Sequence, residues 1–76
     1  MHEYVLYYFP SCPYCHKVIR FMEQAGISIP MKNTWDPGVE DELSAIGGMD
    51  QVPCLVIDGK ALYESDDIIE YMKKNF

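Results

Sequence analysis

The chain has 76 residues, 49% hydrophobic and 24% charged, which suits one small folded domain over residues 1–76 that must pack a single core well. Twelve acidic residues against six basic ones leave a net charge of −6, and without a basic stripe to displace counterions no nucleic-acid partner is expected. The longest apolar run, Tyr4 to Phe9, is far short of the roughly 20 residues that span a bilayer, so no membrane partner is expected either.

Met1-His2-Glu3 carries neither a basic region nor a cleavage site, and the expectation is a cytoplasmic protein without a secretory signal. Three cysteines, an odd number, point away from a structural disulfide framework. Glu3 to Phe9 is rich in Tyr, Val and Phe and apolar on both faces, which reads as a buried strand. Pro10-Ser11 breaks it, and Pro13 suits a first helical position. From there Tyr14, Val18, Phe21, Met22 and Ala25 recur at helical spacing, and Gly26 ends the helix. Ile27-Ser28-Ile29 reads as a second strand, parallel to the first because a helix intervenes.

Asp36-Pro37 reads as the start of a second helix, with Asp36 as its cap, running toward Ile46 and stopped by Gly47-Gly48. Gln51 to Ile57 is a β-rich run, and Asp58-Gly59 a two-residue hairpin turn into Lys60-Ala61-Leu62-Tyr63. Ser65 caps a last helix whose apolar face is Ile68, Ile69 and Met72. The order βαβ-α-ββα builds an α/β domain: a four-stranded mixed sheet flanked by three helices, the thioredoxin-like arrangement.

Chemistry concentrates in Phe9-Pro10-Ser11-Cys12-Pro13-Tyr14-Cys15-His16. A Cys-x-x-Cys pair serves redox exchange or metal binding, and with His16 it also spells a haem-attachment pattern. Haem needs a second axial ligand, for which Met31 or Met49 could be nominated, and usually an exported chain, whereas no signal segment is expected here and a β-rich second half is unlike a small cytochrome. Zinc wants four ligands; Cys12, Cys15, Cys54 and His2 or His16 are available, without a second paired motif. Redox exchange fits the placement best. Cys12 falls between a strand and a helix N-terminus, whose free N–H groups and dipole favour a thiolate, the attacking form in disulfide exchange. Cys15, one turn on, is within bridging range. Cys12 is thus expected to be the exposed nucleophile, Cys15 the buried resolving thiol, and the pair a redox-active disulfide when oxidised. His16 reads as a surface residue. Cys54 reads as a buried structural thiol, turned away from Cys12 by strand alternation.

Cys12-Pro13-Tyr14-Cys15, then Val52-Pro53, then Ser65-Asp66-Asp67 at the last helix resemble a glutaredoxin over the whole chain. The stretch from Gln51 to Ser65 also resembles the N-terminal domain of glutathione transferases. The resemblance implies a glutathione-dependent thiol–disulfide oxidoreductase, with glutathione as co-substrate, no metal, and disulfide-containing or glutathionylated proteins as partners of a monomer. It implies a cis Val52-Pro53 bond that turns the Val52 backbone toward the cysteinyl part of glutathione. It implies that the N–H groups of Ser65 and Asp66 take the γ-glutamyl carboxylate, and that the Asp66 carboxylate takes its ammonium. Tyr14 would pack against the bound peptide. Departures from the pattern shift some roles. The lysine often found before the first cysteine is absent, and Tyr63-Glu64 replaces the usual glycine pair, so Glu64 is a further candidate for the ammonium. Lys32 and Trp35 are candidates for the glycyl end. Two alternatives stay open: a thioredoxin-like reductant independent of glutathione, and a non-catalytic iron–sulfur or zinc carrier.

Overall fold

Tyr4–Tyr8 forms β1, at the centre of the molecule because consecutive side chains feed opposite cores. The structure, a computed structural model, describes residues 2–76; Met1, read above with His2 and Glu3, lies outside the described residues. The other elements are α1 (Pro13–Ala25), β2 (Met31–Asn33), α2 (Val39–Gly47), β3 (Cys54–Ile57), β4 (Lys60–Tyr63) and α3 (Ser65–Asn75). The sheet order is β2-β1-β3-β4, with β1 and β2 parallel and the other pairs antiparallel. This is the expected thioredoxin-like fold.

Side-chain alternation divides the interior in two. Leu6 and Leu55 point to the face covered by Val18 and Met22 of α1 and Ile68 and Met72 of α3. Tyr7, Cys54 and Val56 point to the other face, against Leu43 of α2. Burying one leucine-sized side chain contributes about 1.5–3 kcal/mol, and Leu6, Leu43, Leu55 and Ile68 are all fully buried.

Several boundaries differ from expectation. The second strand is Met31–Asn33, not Ile27–Ile29. Ile27 and Ile29 are anchored in the core beside α1, and pairing with β1 begins only where Leu6 N–H donates to the Pro30 carbonyl at 3.0 Å. Asp36 does not cap α2: its carbonyl accepts Val39 N–H at 3.2 Å in a turn, and Gly38 is the cap. Residues 51–53 precede β3 rather than belonging to it, because a cis Val52-Pro53 bond interrupts the extended chain there. Ser65 is the first residue of α3; the cap is Glu64.

The local signals held elsewhere. Gly26 closes α1 at φ 71°, its N–H turned back to Glu23 and Met22. Asp58 and Gly59 both have positive φ, 51° and 84°, as a two-residue turn between right-twisted strands requires.

Candidate active site

Cys12 is the N-cap of α1, in extended conformation, with Pro13 opening the helix. Its N–H donates to the Phe9 carbonyl at 3.2 Å and its carbonyl accepts His16 N–H at 3.1 Å, which fixes the loop to the first turn. The Cys15 N–H donates to Cys12 Sγ at 3.4 Å, and the same sulfur lies 4.0 Å from the Val52 carbonyl oxygen. Cys12 is 7% exposed and Cys15 0%. The expected order therefore holds, but Cys12 is not the exposed residue anticipated. In capping the helix its sulfur folds back over the first turn and toward Val52.

Burial, then the contact with Cys12, pushes the Cys15 thiol up to about 12. It keeps its proton at neutral pH. Cys54 is fully buried on the opposite face of the sheet, and that burial pushes it up to about 11. All three cysteines are free thiols. The four-ligand set considered for zinc is not assembled: Cys54 is across the sheet, and His2 sits 2.5 Å from Asp58 at the hairpin turn. His16 is exposed, its ring against the Pro10 carbonyl.

Beside Cys12 lies a recess of about 280 Å³ lined by Tyr14, Gln51, Val52, Pro53, Glu64, Ser65 and Asp66. It gathers every glutathione candidate from the sequence except Lys32 and Trp35. Glu64 caps α3 without a side-chain hydrogen bond to the helix, so the first N–H groups of α3 have no partner from that cap. The site thus offers free N–H donors and a helix dipole for a carboxylate, with the Glu64 and Asp66 carboxylates close by for an ammonium. Tyr14 is 65% exposed at the rim.

Lys32 stands apart. It lies on β2, its ammonium 2.7 Å from Glu42 of α2. The Tyr7 hydroxyl donates to that same carboxylate, and the two contacts, Lys32 first, hold the Glu42 carboxyl below its usual range. Trp35 is 62% exposed and stacks on Phe9 with ring centroids 5.8 Å apart, on the loop leading to Cys12.

Two residues went unread in the sequence. Gln51 donates from Nε2 to Glu64 Oε1 at 3.1 Å and so orients that carboxylate; its place before Val52-Pro53 was the available clue. Lys17 of α1 pairs with Asp66 of α3, a contact across two helices that no local pattern announces.

Glu64 adopts φ 74°, ψ 123°, a conformation costly for any residue with a Cβ. Glu64→Gly is expected to be more stable than Glu64→Ala by about 1 kcal/mol, read by urea denaturation. Equal stabilities would show that the backbone there is unstrained.

The family model for the glutathione S-transferase N-terminal domain matches residues 6–76. The chain belongs to that family. Glutathione transferase Omega 3C from Trametes versicolor superposes with a TM-score of 0.80 at 30% identity, over 95% of this chain and 33% of its own. Glutathione S-transferase 1-6 from Anopheles dirus species B gives 0.79 at 28%, over 95% of this chain and 35% of its own. Oxidized glutaredoxin 2 from Chlamydomonas reinhardtii gives 0.70 at 26%, over 96% and 73%. No curated protein matches. The domain thus spans about a third of the transferases and about three quarters of the glutaredoxin. Both sets of neighbours share the thioredoxin-like fold described above.

Proposed function

We propose that the domain is a glutathione-dependent thiol–disulfide oxidoreductase of glutaredoxin type, acting as a monomer on protein disulfides and protein–glutathione mixed disulfides in the cytoplasm. The observation that carries this reading is the Cys12–Cys15 pair at the start of α1, with Cys12 Sγ 4.0 Å from the Val52 carbonyl that edges the recess. The Cys12 thiolate attacks the glutathione sulfur of a mixed disulfide. A Cys12–glutathione disulfide forms, the original S–S bond breaks, and the partner's sulfur leaves as thiolate and takes up a proton. A second glutathione, as thiolate, attacks that disulfide, releasing glutathione disulfide and returning Cys12 as thiolate. With a protein disulfide the first products are a Cys12–partner disulfide and one partner thiol. Cys15, losing its proton, then attacks Cys12 Sγ; the Cys12–partner bond breaks, and the second partner sulfur leaves as thiolate and takes up a proton. Two glutathiones reduce the Cys12–Cys15 disulfide with release of glutathione disulfide.

Glutathione fits the recess by charge. Its γ-glutamyl carboxylate meets the N–H groups of Ser65 and Asp66, its ammonium meets Asp66 and Glu64, and its cysteinyl backbone meets Val52 beside Pro53. The test is turnover of a glutathionylated peptide with glutathione as reductant. Asp66→Ala should raise the KM for glutathione about tenfold, the loss of one charge-assisted contact of roughly 1.5 kcal/mol, while leaving alkylation of Cys12 unchanged. An unaltered KM would remove Asp66 from the site.

A second reading is favoured by the match over 6–76 and by Tyr63-Glu64 in place of a glycine pair: the glutathione-binding domain of a transferase. Conjugation of glutathione to an electrophile, with no release of protein-bound glutathione, would select it.

A further inference from the structure

A mixed-disulfide substrate has two halves, and only one can occupy the recess. On the other flank of Cys12 an open groove of about 650 Å³ runs along α1 toward α3. Ser11 and Pro13, the chain neighbours of Cys12, line its near end, and Phe21 and Ile69 provide apolar floor. Its charged or titratable lining is entirely basic: His16, Lys17 and Arg20. That is notable in a chain with twice as many acidic as basic residues. A second recess, of about 400 Å³, shares Pro10, His16 and Arg20 and continues the surface.

The charges near the groove are unequal. Lys17 is paired with Asp66, and Glu23, one helical turn beyond Arg20, lines the second recess but not the groove itself. Arg20 is exposed and makes no ion pair among the described residues. An acidic side chain laid along the groove would therefore meet Arg20 first.

We propose that this groove receives an acidic segment of the partner protein next to its glutathionylated cysteine, so that Cys12 works between a glutathione recess and a partner groove. The proposal rests on the oxidoreductase reading above. The bonds made and broken are those already given, and the groove holds the half whose sulfur leaves. Beyond about 8 Å the whole-chain charge is screened at physiological salt, so selection falls to the side chains in contact. The whole-chain charge of −6 alone would rank partners the other way, favouring basic ones, and this makes the proposal testable.

Three substrates decide it: a glutathionylated peptide with Asp and Glu flanking its cysteine, a Lys-flanked peptide of equal length, and the mixed disulfide of glutathione with free cysteine. At physiological salt, where the whole-chain charge is screened beyond about 8 Å, the acidic peptide should have the highest kcat/KM, with the gap to the basic peptide closing as salt is raised further. Arg20→Glu should cut kcat/KM for the acidic peptide about fivefold, consistent with reversing an exposed ion pair. It should leave the cysteine–glutathione disulfide unchanged, with Arg20→Ala between. A basic peptide turned over as fast as the acidic one, or an Arg20→Glu loss equal on all three substrates, would overturn the groove while sparing the reaction. Failure on all three by the unmodified domain would overturn the reaction, and the groove with it.

Discussion

Cys12→Ser is expected to lower turnover of a glutathionylated peptide by at least about a thousandfold, as loss of a covalent nucleophile does, whereas Cys15→Ser should retain it. The domain has only two other thiols. Cys15 is fully buried and pushed up to about 12; Cys54 is behind the sheet and pushed up to about 11. At neutral pH neither supplies an appreciable fraction of thiolate, so neither can stand in for Cys12. Cys15→Ser removes the resolving thiol but leaves the Cys12 cap geometry and the recess intact. The Cys12–glutathione disulfide should then be captured in that variant by mass spectrometry, and reduction of protein disulfides that depends on Cys15 should fall. Turnover persisting in Cys12→Ser, or a glutathione adduct on Cys54, would contradict the assignment.

What was legible in the sequence was whatever is marked locally. Pro13 and Gly26 bracket α1, and Asp58-Gly59 makes the hairpin turn, because each of these residues restricts or frees its own backbone. The candidates between Val52 and Asp66 were singled out through a resemblance rather than a local signal; they line one recess together with Tyr14 of α1. Non-local determinants were not legible. β2 lies at Met31–Asn33 rather than Ile27–Ile29 because pairing register with β1 decides it, and both isoleucines are used to fill the core beside α1. Lys32 looked available for a ligand carboxylate; its partner Glu42 comes from another element. The pairing of Lys17 with Asp66 is hidden for the same reason. In each case the competing contact spans elements whose juxtaposition exists only in the folded sheet.

That juxtaposition also makes Gly47 a position where a single methyl group should be costly. At an exposed helix interior, Gly→Ala gains up to about 1 kcal/mol from helix propensity. Gly47 ends α2 against β4, and a Cβ there would lie 1.9 Å from the Tyr63 hydroxyl oxygen and 2.8 Å from the Ala61 Cβ. The tyrosine ring could swing aside, but only by giving up its hydrogen bond to the Met49 carbonyl at 3.1 Å. Ala61 is held in register opposite Val56 and cannot retreat. Overpacking of this kind costs about 1–3 kcal/mol, which outweighs the propensity gain. Gly47→Ala should therefore lower Tm by about 4–8 °C for each net kcal/mol lost, measured by thermal denaturation followed by circular dichroism. Because Tyr63 leads directly into Glu64, the same variant should also raise the KM for glutathione without touching the recess. A Tm equal to or above that of the unmodified domain would mean that α2 can lift away from β4 freely, and would remove the support this packing gives to Glu64.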